Sequence, residues 1–340
     1  MKLHMKINKC FIITFSVLFY VSSTNAQSEF TTDHPFELSL YVDFQEFVDQ
    51  MEDPKYIPAK IEYLTSDGKH LSKKVKVKAR GAFRRESCEI PPIRINFNDD
   101  NYEVALFDKL GKVKLVNECH FGQQYQQYLI KEYLIYKTYQ KLTDHSLKTW
   151  FMRIRFIDST DTTNYFSSYS FIIEDIDDLA ERTNTVELEK VGLRHSDIDE
   201  QSESLVMLFS YMISNTDLYV ENLHNLKLLQ PEDENDKPLL VPYDFDFTGL
   251  VNADYAFPSE GSTRKTVRDR QYLGECRSKN EYRELYNHFN MKKGEIYSIY
   301  ANCQLLSKES QDDALNYLVE FYNIIENPRL AKKNIAKKCW

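Results

Sequence analysis

Glycine is scarce in this chain, with nine residues in 340. Neither G-x-G-x-x-G nor G-x-x-x-x-G-K-[ST] occurs, which argues against a dinucleotide-binding βαβ unit or a Walker-type loop, since both need glycines where the backbone closes on phosphates. H-E-x-x-H and G-x-S-x-G are absent too, so neither a zinc protease nor an α/β-hydrolase finds its signature. There is no C-x-x-C pair, which removes the usual zinc and thioredoxin-like arrangements. Beyond the first 26 residues no stretch approaches the ~20 continuous apolar residues of a membrane-spanning helix. Positive charge is in deficit: 43 Lys and Arg face 52 Asp and Glu, a net charge of −9. A nucleic-acid binder would carry the opposite, basic footprint.

What is present begins with an export signal. Lys2, Lys6 and Lys9 precede an apolar run from Cys10 to Val21 and a small-residue end at Thr24-Asn25-Ala26. That pattern reads as a cleavable signal peptide over residues 1–26, with the mature chain periplasmic or secreted. Removing it removes three lysines and no acid, so the mature chain is more acidic still. The whole sequence is 42% apolar, and the remainder is long enough for one large or two modest folded units. Five cysteines remain: Cys88, Cys119, Cys276, Cys303 and Cys339. The odd count leaves at least one outside any disulfide, and a Cys88–Cys119 bridge is the expected pair.

Short alternating stretches at 37–42, 59–63, 74–78 and 93–97, broken by turn signals such as Ser66-Asp67-Gly68, predict antiparallel strands. Another strand is expected at 112–116, a helix at 123–142, and a hairpin from 150–157 and 165–173. Farther on, helical periodicity marks 203–214, 281–288, 293–306 and 311–325, interrupted by a hairpin of 226–229 with 239–243. Charge rises and apolar periodicity stops near 175–185, which divides the chain into units 27–178 and 179–340.

The most informative motif lies in the second unit. Asn215-Thr216-Asp217 is followed by His224-Asn225-Leu226 and then by Val241-Pro242-Tyr243-Asp244-Phe245-Asp246. In phosphoryl transfer an aspartate orients the attacking hydroxyl, an asparagine a few residues later holds a metal, and a second aspartate beyond the next hairpin holds Mg²⁺. Asp217, Asn225 and Asp244 fit that order, with Asp246 supporting the metal shell. Read singly, Asp217 is equally a turn or capping acid after an apolar helix, and Asp244 and Asp246 punctuate a loop.

The Thr-Asp…His-Asn…Pro-Tyr-Asp-Phe-Asp pattern resembles the CotH-type kinases, the atypical protein-kinase-like family named for spore coat protein H. The resemblance extends to Lys78-Ala79-Arg80-Gly81 with Arg84, Arg85, Pro91 and Pro92, to Lys114-Leu115-Val116 and to Phe171-Ile172-Ile173-Glu174-Asp175, and so spans roughly residues 36–256. It implies an α+β, two-lobed protein-kinase-like fold with a strand-rich N-terminal lobe and a mainly helical C-terminal lobe. It also implies transfer of the ATP γ-phosphoryl group to a protein hydroxyl, serine or threonine, with Mg²⁺ or Mn²⁺. An inactive, kinase-fold binding or cell-surface protein is the alternative. One departure stands out: Asp217 to Asn225 is eight residues, against five in H-R-D-x-x-x-x-N. Asn222 would restore that spacing, whereas Asn225 directly precedes the strand.

Phosphates need positive charge nearby, supplied in ordinary kinases by a strand lysine paired to a helix glutamate. Lys114 and Glu132 are the candidates, with Lys112 as substitute; a solvated Lys114 and a Glu132 paired with Lys131 or Tyr136 is the competing reading. Arg80 heads a run Arg80-Gly81-Ala82-Phe83-Arg84-Arg85 in which a glycine permits a tight turn and guanidiniums can grip phosphate oxygens. The same run could be a solvated basic turn. Glu174 occupies the place of a hinge meeting adenine, or caps the next turn.

Overall fold

The structure is a computed structural model and describes Thr32 and residues 34–65, 68–97, 111–258 and 264–339. The expected signal peptide lies outside these residues.

Alternation dictates the first element pair and everything built on it. Strand β1 (Phe36–Val42) buries Phe36, Leu38, Leu40 and Val42 on one side, the period of two expected of a half-buried strand. It is followed by helix α1 (Phe44–Asp49), β2 (Ile57–Leu64), β3 (His70–Ala79), helix α2 (Ala82–Ser87), β4 (Ile93–Phe97) and β5 (Lys112–Asn117). Helix α3 (Gln123–Tyr139) then precedes the long hairpin of β6 (Thr149–Asp158) and β7 (Tyr165–Ile173). Seven strands close in the order β1-β2-β3-β4-β5-β7-β6. Every pairing is antiparallel except the one that shuts the barrel, where β1 runs parallel to β6 with Leu38 opposite Ile154. Inside sits a continuous apolar core that includes Leu40, Ile61, Val77, Ile95, Leu115, Met152 and Ile172.

The two-lobed kinase-like expectation is corrected here. The N-terminal strands form a closed mixed barrel rather than an open small lobe, and the helices do not form a separate helical lobe with a core of their own. A second core is shared: Val116, Phe151, Phe171 and Ile173 on the outer barrel wall pack in one cluster with α3, helix α4 (Ile176–Arg182), α5 (Glu200–Ile213), α6 (Lys279–Ala301) and α7 (Lys308–Glu326). A three-stranded sheet, β10-β9-β8, joins the same cluster; its strands are β8 (Thr185–Glu187), β9 (Leu226–Pro231) and β10 (Leu239–Pro242). The physical reason is that β6 and β7 are apolar on both faces where they cross α3, so one face fills the barrel and the other must be covered. Helix α3 meets that demand by being buried on most sides, from Leu129 and Ile130 through Tyr139.

Two disulfides tie the surface. Cys88–Cys119 joins the end of α2 to the end of β5, as expected, and Cys276–Cys339 pins the C-terminus to the start of α6. Cys303 is buried outside both bridges. Such bridges, together with the lack among the described residues of any helix long and apolar enough to cross a membrane, are compatible with an exported protein.

Candidate active site

Helix α5 ends at Ser214, which adopts the left-handed conformation (φ 53°) and turns the chain sharply toward the barrel. Asn215 then accepts the Asp217 N–H through Oδ1 at 3.0 Å, so the segment 215–217 is a fixed turn. Between Asp217 and Asn225 the chain makes a miniature hairpin: Tyr219 and His224 exchange both backbone hydrogen bonds, at 3.2 and 3.1 Å. That loop absorbs the extra residues of the eight-residue spacing. Asn225 accordingly returns to Asp217, donating through Nδ2 to the Asp217 carbonyl (2.8 Å) and to Oδ2 (3.0 Å). The other carboxylate oxygen of Asp217 meets His224 Nε2 at 3.1 Å. Asp217 is thus clamped at both oxygens yet 40% exposed, open to an incoming group.

The two asparagines separate cleanly. Asn222 is exposed and spends its side-chain oxygen on the His224 N–H, at 3.1 Å. Asn225 is buried, and with its amide nitrogen committed to Asp217 the amide oxygen is the candidate ligand atom.

Past β10, Asp244 also takes a left-handed backbone (φ 63°), as do Leu223 and Asn225. Three non-glycine residues with positive φ within one site mark stored backbone strain. The Asp244 N–H donates to the Tyr136 hydroxyl of α3 at 2.9 Å, which locks the loop to the helix. Gly249 fastens the loop's far end: its N–H donates to Ser214 O, and an added Cβ would meet Val267 O at 2.5 Å and Ser214 Cβ at 2.8 Å.

Positive charge enters from the barrel. Gly81 (φ 75°) permits the turn between β3 and α2 that sends both Arg80 and Arg84 inward. Arg84 donates to Asn117 O at 2.8 Å and stands 3.8 Å from Asp246 Oδ2. Lys114 of β5 lies 4.6 Å from the Tyr243 ring centre. Burial, then Arg80 and Lys227, bring the Lys114 pKa down to about 8, with Asp244 opposing. Burial lowers Arg80 too, against the pull of Asp244.

Glu132 is buried and faces this assembly. Burial first, then Asp246 and Asp244, drive its pKa well above the ordinary carboxylate value, while Arg84 and Arg80 pull it down. Its cationic neighbours are therefore the two arginines rather than the expected Lys114, and Lys131 turns away to Asp313 at 3.1 Å. Asp246, likewise buried, rises to about 7 through burial and the neighbouring Asp244 carboxylate. Three acids crowded among cations, two of them disfavoured as anions, are what added positive charge would relieve.

Hydrogen-bond satisfaction shows where that assembly is incomplete. Buried and without partner are Arg80 Nε, Arg84 Nε, Glu132 Oε1 and Asp246 Oδ2. Buried polar atoms left so cost free energy unless a ligand or water completes them. Among the described residues no group of three His, Cys, Asp or Glu side chains forms a ready-made metal cage. Mg²⁺ does not require one, since it keeps waters and phosphate oxygens beside one or two carboxylates.

No protein-family model and no curated protein matches the chain. Asp217, Asn225, Asp244, Asp246, Arg80, Lys114 and Glu132 converge on one assembly. Glu174 does not join it: its carboxylate accepts from Arg182 at 2.8 and 2.9 Å and from the Lys148 N–H at 2.8 Å, while its own N–H donates to Lys148 O. It closes the end of the β6–β7 hairpin onto α4. Lys112 is exposed on the rim. Residues not foreseen in the site are Tyr136, Tyr243 and Lys227. Arg84, noted only within a basic run, is a full member. A cavity of about 380 Å³ adjoins them, lined by Glu187, Leu188, Glu189, Val191, Leu223, Leu226, Lys227 and Tyr243. A larger one of about 930 Å³ lies on the barrel wall near Glu37, Glu62 and Arg155, and contains none of these residues.

Proposed function

We propose that this protein is a phosphotransferase that moves the γ-phosphoryl group of ATP to a protein hydroxyl, serine or threonine, in the manner of the CotH-type kinases it resembles. The observation that carries the reading is the joint one: a 40% exposed, doubly clamped Asp217 beside a half-buried Asp244 and a buried Asp246, all fronted by arginines with unsatisfied nitrogens. Open buried polar atoms of this kind are what a bound ligand would complete.

Asp244 and the Asn225 amide oxygen would hold Mg²⁺ or Mn²⁺, with Asp246 as the supporting acid. The bound metal and nucleotide supply charge neutralisation on the phosphates and an in-line leaving group. Arg80 and Lys114 hold phosphate oxygens, Arg80 through its unpaired Nε edge. The apolar floor of Leu223, Leu226 and Tyr243 in the 380 Å³ cavity takes the nucleoside, a role that replaces the hinge expected at Glu174. Asp217 accepts the proton of the acceptor hydroxyl as its oxygen bonds to phosphorus. The bond from phosphorus to the bridging oxygen of ADP breaks in the same displacement. Asn225 and His224 keep Asp217 in one orientation, the entropic part of the rate gain.

Thermal-shift titration of the purified protein with ATP tests the reading, because a native-state ligand must raise the melting temperature. A rise that requires Mg²⁺ or Mn²⁺, lost in Asp244→Ala and kept in Asp217→Ala, is expected; Asp217→Ala should instead abolish transfer of labelled phosphate. No shift at millimolar nucleotide would replace this reading with that of an inactive binding protein.

A further inference from the structure

One face of the barrel contradicts the acidity of the chain. Strands β3, β4 and β5 contain seven lysines and arginines and no acid. The register sets them in rungs: Lys78 lies opposite Arg94, which lies opposite Lys114, and next to this rung Lys76, Asn96 and Lys112 align in the same way. Their strand neighbours Val75, Val77, Ile95, Val113 and Leu115 point into the barrel, so six of the seven, all but Lys73, stand on its outer wall. Like charges directly opposite one another destabilise a sheet. Two offsets are local, the Tyr56 ring 4.9 Å from Lys78 and the Tyr243 ring 4.6 Å from Lys114, while Arg94 Nε and the Tyr56 hydroxyl are buried without a hydrogen-bond partner. Of the residues on these three strands, only Val116 at the β5 edge packs into the cluster of helices α3 to α7.

We propose that this wall is a docking surface for an acidic polypeptide segment. Successive outward residues on a strand are about 7 Å apart, the repeat of same-side side chains in an extended peptide, and neighbouring strands are about 4.8 Å apart. Carboxylates at alternate positions of an extended segment therefore match Lys76 and Lys78 along β3. A membrane surface fits less well, because none of the exposed large apolar residues among those described lies on β3, β4 or β5. Nucleic acid fits less well too, since none of the exposed aromatic residues among those described lies on β3, β4 or β5 and the whole chain is acidic. The rung ends at Lys114, so a segment lying along it leads into the candidate site. Binding itself does not rest on the phosphotransfer reading; only delivery of an acceptor hydroxyl to Asp217 does.

The test is fluorescence polarisation of the whole protein, without nucleotide, against a labelled peptide of alternating glutamate and serine. Saturable binding weakened by salt is expected, falling about tenfold in Lys76→Gln/Lys112→Gln and again in Arg94→Gln. The double variant should keep its nucleotide-induced rise in melting temperature, since neither lysine belongs to the site. Undiminished binding in both variants overturns the proposal. So does equal or tighter binding of a single-stranded DNA oligomer or of phosphatidylserine vesicles. Peptide binding without any nucleotide response would sink the phosphotransferase reading and leave this one standing.

Discussion

Two buried glutamates face arginines in this protein, and they end differently. Glu203, at the start of α5, is fully buried, and each of its oxygens is used. Oε1 meets His195 Nδ1 at 2.9 Å and the Glu275 N–H at 3.3 Å, and Oε2 accepts from Arg277 at 2.7 Å. Glu132, on α3, is equally hidden, yet Oε1 has no partner and Arg80 and Arg84 each keep an unsatisfied nitrogen. The first network is closed and holds α5 to the start of α6. The second is open, which is how a binding site differs from a brace made of the same residue types.

Breaking the closed network should have the larger effect on stability. Glu203→Ala removes the fully buried partner of both Arg277 and His195, leaving Arg277 with Glu275 and Glu200, and is expected to cost about 3 kcal/mol in urea unfolding. Gly249→Ala should come next, at about 1–3 kcal/mol, because the new methyl meets backbone and side chain below contact distance. It should also weaken the nucleotide response by displacing Asp244 and Asp246. Glu132→Gln should change stability by less than about 1 kcal/mol, since it replaces a group already disfavoured as an anion. Its metal-dependent thermal shift should nevertheless shrink, and an unchanged shift would make Glu132 a second brace.

The smallest effect distinguishes charge from packing. With a pKa near 8 when folded and 10.5 as the ordinary value, Lys114 binds more protons unfolded than folded between those limits. Its contribution to stability therefore rises with pH across that window, while its hold on anions falls. Melting temperatures with and without ATP at pH 7 and 9 should show the nucleotide increment shrinking, and Lys114→Gln should flatten that dependence.

Local periodicity made most elements legible: β4 and β7 begin and end where expected, and β1 and α3 start or stop within a few residues. The segments 281–288 and 293–306, read as two helices, are one helix, α6, because Asn290 to Lys292 between them contains no breaker. Barrel closure was illegible, since alternation gives a strand its faces but not its partner, and the β1–β6 pairing joins residues more than a hundred positions apart. In the candidate site, the aspartates and asparagine could be found from their order. Glu174 could not be excluded, because its partner Arg182 lies on a helix whose approach depends on tertiary packing. Arg84 carried a signal, a cation shortly after a glycine turn, but nothing local distinguished it from Arg85, which binds the carbonyls of Gly81 and Met51 instead.

The parallel seam between β1 and β6 also has a temporal side. The N-terminal strand can pair with β2 as soon as that hairpin exists, but its other edge stays open until residue 158 has been made. At roughly 5–20 residues per second, synthesis leaves that edge exposed for on the order of ten seconds. An extended apolar strand with one free edge is a template for pairing with a second chain. Phe36–Val42 is thus the segment most exposed to mispairing before its last neighbour arrives, and crowding of unfinished chains should lower yield more than the finished fold's stability would suggest.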